Sequence, residues 1–217
     1  MDIATTAEAR GTRAADSEAT KANILDVARQ EFADKGLSGA RIDEIAERTN
    51  TSKRMIYYHF ASKEGLYRAV LEQAYARIRE TETAVPIETM NAQEALSANV
   101  RVTFDYHHQH PEFVRLVMNE NMHHGEFIKH VDGIKRRNEV VIRVLGDIIA
   151  KGRDEGVFRS DLDPVDLHMT ISALCFYNVS NRYTFSEIFR CDMTSPEAVE
   201  RRREQVVAVV LAACRAV

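Results

Sequence analysis

Tryptophan is absent from these 217 residues, proline occurs four times and glycine nine times. So few helix breakers favour long helices. No alternating apolar–polar run bounded by turn residues predicts a strand, so the chain reads as all-α. There is no run of 18 or more apolar residues, which argues against a membrane span. The opening MDIATTAEARGTRAADSEAT lacks the apolar core of a signal peptide and reads as a polar, mobile arm. Only three cysteines occur, Cys175, Cys191 and Cys214. They are widely spaced, fit no metal pattern, and predict free thiols in a reducing cytoplasm. Gly-rich phosphate loops, nucleophile elbows and HExxH motifs are missing, so no enzyme activity and no cofactor are expected. Bulk positive charge is missing too: the net charge is −4. Nucleic-acid binding would therefore need a local basic face.

What is present is helical periodicity, with hydrophobic residues at 45% of the chain. In the first helix, expected near 17–35, Ile24, Ala28 and Phe32 recur every four residues, and Gly36 stops it as a C-terminal cap. A second helix is expected over 42–49, with Ile42, Ile45 and Ala46 inward. Thr49-Asn50-Thr51 breaks it, Asn tolerating the left-handed conformation of such a turn. Ser52 then caps a short helix over 53–60, and Ser62 caps a longer one towards 82. The stretch 83–91, with Pro86, is the clearest break between domains. Beyond it the pattern predicts helices near 92–108, 110–125, 127–155, 164–188 and 196–216, the last two opening with Asp163-Pro164 and Ser195-Pro196.

Two short helices separated by three or four residues predict a helix-turn-helix. The second carries Lys53, Arg54, Tyr57, Tyr58 and His59, and Lys63 follows at the next helix start. Such side chains suit phosphate oxygens and base edges. Ile56 and Phe60, four apart, supply the buried side. The helix start also directs backbone N–H groups at a phosphate.

Arg41-Ile42-Asp43-Glu44-Ile45-Ala46, the turn, and Ser52-Lys53-Arg54-Met55-Ile56-Tyr57-Tyr58-His59-Phe60-Ala61-Ser62-Lys63-Glu64-Gly65-Leu66-Tyr67 together resemble the TetR-family DNA-binding signature. The resemblance covers residues 22–70 and has no counterpart motif further on. It implies about nine helices: three for DNA, in a helix-turn-helix domain over 17–65 behind a flexible arm of 1–16, and a larger helical ligand-binding and dimerisation domain over 66–217. Carried over by position, it implies that Ser52, Tyr57, Tyr58, His59 and Lys63 contact operator DNA, mostly at phosphates. Lys53, Arg54 and Met55 stand at the variable, base-reading positions, with Arg54 suited to a bidentate contact with guanine. Arg41 stands where many relatives carry Thr; it can reach phosphate, but the helix cap must then come from elsewhere, Ser38 being the candidate.

The resemblance also implies a homodimer through the last two helices and a release from a palindromic operator when a small-molecule effector of unstated identity binds. The last helix, with Val206, Val207, Val209, Val210, Leu211, Ala213 and Cys214, is apolar on more than one face, which independently predicts a second partner. Candidates for the effector pocket are Phe104, His107, Met118, Asn121, Met122, Phe127, Phe176, Tyr177 and Asn181. Six of the eight histidines fall within 107–130. No metal site is assigned. A metal-dependent sensor or enzyme using that cluster stands as an alternative, as does a regulator that is effector-independent or activating.

Overall fold

The computed structural model describes residues 3–216, with side chains from residue 16 onward. Among the described residues ten helices follow one another: α1 (Ile3–Gly39), α2 (Ile42–Arg48), α3 (Lys53–Phe60), α4 (Lys63–Thr83), α5 (Ala92–Gln109), α6 (Pro111–Met122), α7 (Asp132–Asp154), α8 (Pro164–Ser180), α9 (Arg182–Phe189) and α10 (Pro196–Cys214). No β-strand occurs among the described residues, so the all-α reading holds. Single 3-10 turns occupy Ile87–Thr89 and Ile128–His130. Helical backbone begins at Ile3 rather than near residue 17. Arg10 and Arg13, the cations of the expected arm, have side chains outside the described residues.

Local chemistry explains most boundaries. Gly36 turns to φ +66° and interrupts α1 where a capping glycine is expected. Asn50 sits at φ +51° in the turn after α2. Asp163 Oδ1 accepts the N–H of Val165 at 2.8 Å and of Asp166 at 2.9 Å, capping α8 ahead of Pro164. Asn91 and Glu94 form a reciprocal capping box at the start of α5.

Two further boundaries and one cap differ from the sequence reading. The helix expected over 164–188 is two helices, parting at Asn181, whose Nδ2 donates to Ser180 Oγ at 2.7 Å; polar side chains competing locally for hydrogen bonds weaken a helix at such a point. The helix expected from 127 starts at Asp132. Buried Glu120 accepts the N–H of Phe127 at 3.2 Å and of Ile128 at 3.0 Å, holding that stretch in a 3-10 turn. α10 starts where expected, but Ser195 makes no side-chain cap; Asp192 Oδ1 takes the N–H of Thr194 at 2.7 Å instead.

The chain divides into two compact units: residues 1–74 with 119–130, and residues 75–118 with 131–217. The division falls inside α4, past the 65/66 boundary of the sequence reading, and the first unit takes in a distant segment. In the first unit Ile24, Ala28 and Phe32 of α1 are fully buried with Ile45, Ile56, Leu66 and Val70. Tyr67 meets Phe32 edge-on at 5.0 Å and Phe127 at 5.4 Å. Asn119 Nδ2 donates to the Phe32 carbonyl at 3.2 Å. The second unit packs Leu96, Val100 and Phe104 of α5 with Leu145 and Ile148 of α7, Ile171 and Cys175 of α8, and Val206 and Val210 of α10. No described helix is long and apolar enough to cross a membrane.

Candidate nucleic-acid interface

The geometry of the first unit starts with Glu31. This carboxylate is 3% exposed and reaches three groups at once: Lys35 Nζ at 2.9 Å, Arg48 at 3.5 Å and the Arg41 N–H at 3.3 Å. It thereby fastens α1 to both ends of α2. Arg41 makes no side-chain cap for α2, and Ser38 does not supply one: the Ser38 carbonyl accepts from Lys63 Nζ at 3.3 Å. Thr49, buried, donates its hydroxyl to the Ile45 carbonyl at 2.7 Å, and its own carbonyl accepts from Asn23 Nδ2 at 3.3 Å. The turn is therefore held from α1 and from α2.

Ser52 caps α3 as expected, its Oγ accepting from the Met55 N–H at 3.1 Å. Eight residues are too few to stand alone as a helix in water. Ile56 at 0% exposure and Phe60 at 7% anchor it. At its end Ala61 adopts φ +63°, ψ −45°, and the Ser62 N–H donates to the Phe60 carbonyl at 2.7 Å, a tight and strained γ-turn. Ser62 Oγ then accepts from the Gly65 N–H at 2.9 Å, opening α4. Gly65 packs against the end of α3: a Cβ there would lie 2.0 Å from the Phe60 carbonyl oxygen.

The buried side fixes the other. Lys53, Arg54, Met55, Tyr57 and Tyr58 are all exposed, Tyr58 at 79%. Lys53 ion-pairs with Asp43 of α2, and Arg41 lies 3.9 Å from the same carboxylate. No ion pair among the described residues engages Arg54. His59 is half-buried, with its Nε2 turned inward and lacking a partner among the described residues. Lys63 is likewise half-buried on Ser38. The face thus offers Arg54, Tyr57 and Tyr58 directly, and Lys53 in exchange for Asp43.

The nine pocket candidates are divided between the two units. Asn121, Met122 and Phe127 fall in the first unit, Phe127 against Tyr67 and Met122 at 66% exposure. Phe104 and His107 are buried in the second unit, where the His107 and Phe176 rings meet edge-on at 6.1 Å. Asn181 ends α8. Met118 lines a cavity of about 230 Å³ with Pro111, Val114 and Tyr183. Tyr177 lines another of about 420 Å³ with Phe185, Met193 and Arg201. Periodicity could not sort them, because apolar residues at helical spacing mark any buried or paired face alike.

The sequence reading missed a buried polar group in the second unit: Arg79 and Glu82 of α4 with Asn99 and Thr103 of α5, beside His107. Glu82 accepts from Thr103 Oγ1 at 3.0 Å and pairs with Arg79. His107 Nδ1 lies 2.7 Å from the Thr103 carbonyl. Burial pushes the Glu82 carboxyl up and the His107 imidazole down to about 4. His168 on α8 is also pushed to about 4, by burial and then by Arg79. Burial drives the Cys175 thiol up to about 12, which leaves it an inert core group. Among the described residues no three His, Cys, Asp or Glu side chains come together as a metal site, and His123, His124 and His130 point to solvent.

Two family profiles match. Residues 24–70 match bacterial regulatory proteins, tetR family, and residues 92–210 match the tetracyclin repressor-like C-terminal domain. The chain is 34% identical over 188 residues to the HTH-type transcriptional repressor NicS of Pseudomonas putida, covering 87% of this chain and 89% of that protein. It is 31% identical over 166 residues to the HTH-type transcriptional repressor SCO4008 of Streptomyces coelicolor, covering 76% and 81%. The fold is that of the ketosteroid transcriptional regulator KstR2 of Mycobacterium tuberculosis, with a TM-score of 0.67 at 22% identity over 89% of this chain and 94% of that one. It is equally that of FadR from Bacillus subtilis, solved with stearoyl-CoA, with a TM-score of 0.70 at 15% identity over 88% and 98%. With one profile on the segment that presents Arg54 and Tyr57 and the other on α5 to α10, this chain belongs to the TetR family of DNA-binding transcriptional regulators.

Proposed function

We propose that this regulator is a homodimeric repressor that leaves a palindromic operator when a small molecule binds its second unit. One observation carries the DNA reading: α3 buries Ile56 and Phe60 and turns Arg54, Tyr57 and Tyr58 outward. An α-helix fits the major groove, and Arg54 can address guanine there through two parallel N–H donors. Tyr57 and Tyr58 donate to phosphate, and Lys53 joins them once DNA competes with Asp43. Ser52, His59, Lys63, Arg41 and Met55 flank this set.

In operator titrations at fixed salt, Arg54→Ala and Tyr57→Ala are each expected to weaken binding by about 1–3 kcal/mol. Arg54→Ala should also relax the preference at one base pair, whereas Tyr57→Ala should weaken all sequences alike. Unchanged affinity for both variants would remove α3 as the reading helix.

The dimer reading draws on α8 and α10. Val165, Met169, Ala173 and Tyr177 recur every four residues along α8 and are all exposed, as are Val209, Ala212 and Ala213 on α10. Two such apolar stripes on one unit are what a two-fold partner would cover. Met169→Glu is expected to raise the dimer dissociation constant at least tenfold in sedimentation, with the helix content kept; a dimer of unchanged strength would move the interface elsewhere. Effector binding would favour a dimer state unable to span two half-sites, so operator DNA must weaken effector binding by the factor by which effector weakens DNA binding.

A further inference from the structure

Three successive turns of α5 bury polar side chains along one face. Asn99, Thr103 and His107 stand four residues apart, and each is at most 3% exposed. Burying polar groups is costly unless every one finds a partner, so such a stripe inside a helical unit needs a reason. Glu82 is satisfied, by Thr103 Oγ1 on one oxygen and by Arg79 on the other. His107 Nδ1 faces the Thr103 carbonyl, which makes it the N–H end of the ring and leaves Nε2 as an acceptor. Two donors are not satisfied: Arg79 Nε and Asn99 Nδ2 are buried and have no hydrogen-bond partner among the described residues. Arg79 is 7% exposed and Asn99 3%.

From these unpaired donors we infer that the stripe is the recognition end of the effector site, and that the effector is an uncharged aromatic or alicyclic compound whose carbonyl groups accept from Arg79 and Asn99. The inference rests on the effector-responsive reading above and supplies its ligand class. Charge balance selects the class. Arg79 is a permanent cation already matched by Glu82, and burial keeps His107 and His168 neutral near pH 7. The ion-paired Arg79 and Glu82 already sum to zero, so a carboxylate entering here would be buried without a counter-charge of its own, which is costly. A carbonyl brings the same acceptor without that charge. The apolar body of the compound would lie against Phe176, whose ring meets the His107 ring edge-on at 6.1 Å. Phe176 and His168 are only part-buried, so this edge of the stripe is within reach of solvent.

The test uses the full-length protein and three probes that share a ring: acetophenone, benzoate and ethylbenzene. Calorimetric titration is expected to show acetophenone binding at least tenfold tighter than either of the others. Asn99→Leu is expected to keep or raise the thermal midpoint, since its amide N–H loses no internal partner, while weakening acetophenone about fivefold. Arg79→Met should weaken it further if it folds, but the conclusion needs only Asn99→Leu. No heat with acetophenone, equal binding of benzoate or ethylbenzene, or an Asn99→Leu protein that is less stable with unchanged acetophenone affinity would each overturn the inference. A gel shift on the operator separates the two readings. Benzoate that binds and releases operator would sink the ligand class and keep the repressor. Failure to bind any duplex, with acetophenone still bound at Asn99, would do the reverse.

Discussion

Gly65→Ala is expected to destabilise the DNA-binding unit by about 2–4 kcal/mol and to lower operator affinity at least tenfold, the high end of what overpacking costs. The added Cβ would sit 2.0 Å from the Phe60 carbonyl oxygen and 3.2 Å from its carbon. The obstacle is backbone, so no side chain can swing aside. Relief must come from parting α3 and α4, and both ends of that junction are committed. Ser62 Oγ holds the Gly65 N–H, and Ala61 already occupies a strained positive-φ turn. Any shift moves Phe60, the buried anchor of α3, and with it Arg54 and Tyr57. Gly146→Ala in α7 is the matched control, because nothing lies within 4 Å of a Cβ there. Its helix propensity should stabilise by up to about 1 kcal/mol. Denaturant titration of both variants checks the pair; equal stability of Gly65→Ala and wild type would mean that the junction is looser than its geometry.

Acid is expected to weaken the second unit through His107. Its folded pKa is depressed to about 4 from 6.5 by burial. Above pH 6.5 both folded and unfolded chains carry it neutral, and its contribution to stability is complete. As pH falls from 6.5 to 4 the unfolded chain takes up a proton that the folded chain refuses, which costs about 3 kcal/mol. His168, held down in the same way, acts with the same sign. Glu82 acts against them: its carboxyl is held above the ordinary range, so its contribution grows as pH falls through that raised value. Comparing variants isolates His107. His107→Gln keeps an N–H for the Thr103 carbonyl, and its unfolding free energy should fall by about 3 kcal/mol less than that of wild type between pH 7 and pH 4. Parallel pH curves for the two proteins would show that the imidazole is protonated inside the fold.

Much of the reading face was legible in the linear chain, because it is built from contacts between residues three or four apart. Ser52 caps α3, Asn50 takes the positive φ of the turn, and Ile56 and Phe60 share the inward side. Even so, Lys53 and Lys63 look alike in sequence, and only packing ties one to Asp43 and the other to the Ser38 carbonyl. The second unit was legible as helices and little more. His107 stood out as a pocket candidate, but nothing in the linear order marks Asn99, Thr103, Arg79 and Glu82 as interior, because polar residues at helical spacing are ordinarily solvated.

What the amino-acid order determined by itself was therefore the all-helical class, most helix starts and stops, and the outward set on α3, since all of these follow from dihedral preferences and hydrogen bonds within one or two turns. The tertiary structure alone decided that residues 119–130 complete the first unit, that Asn181 divides α8 from α9, and that Arg79, Glu82, Asn99, Thr103 and His107 share one interior. The physical reason is that a period of 3.6 residues says which side chains lie on one face of a helix, but not which other helix that face meets.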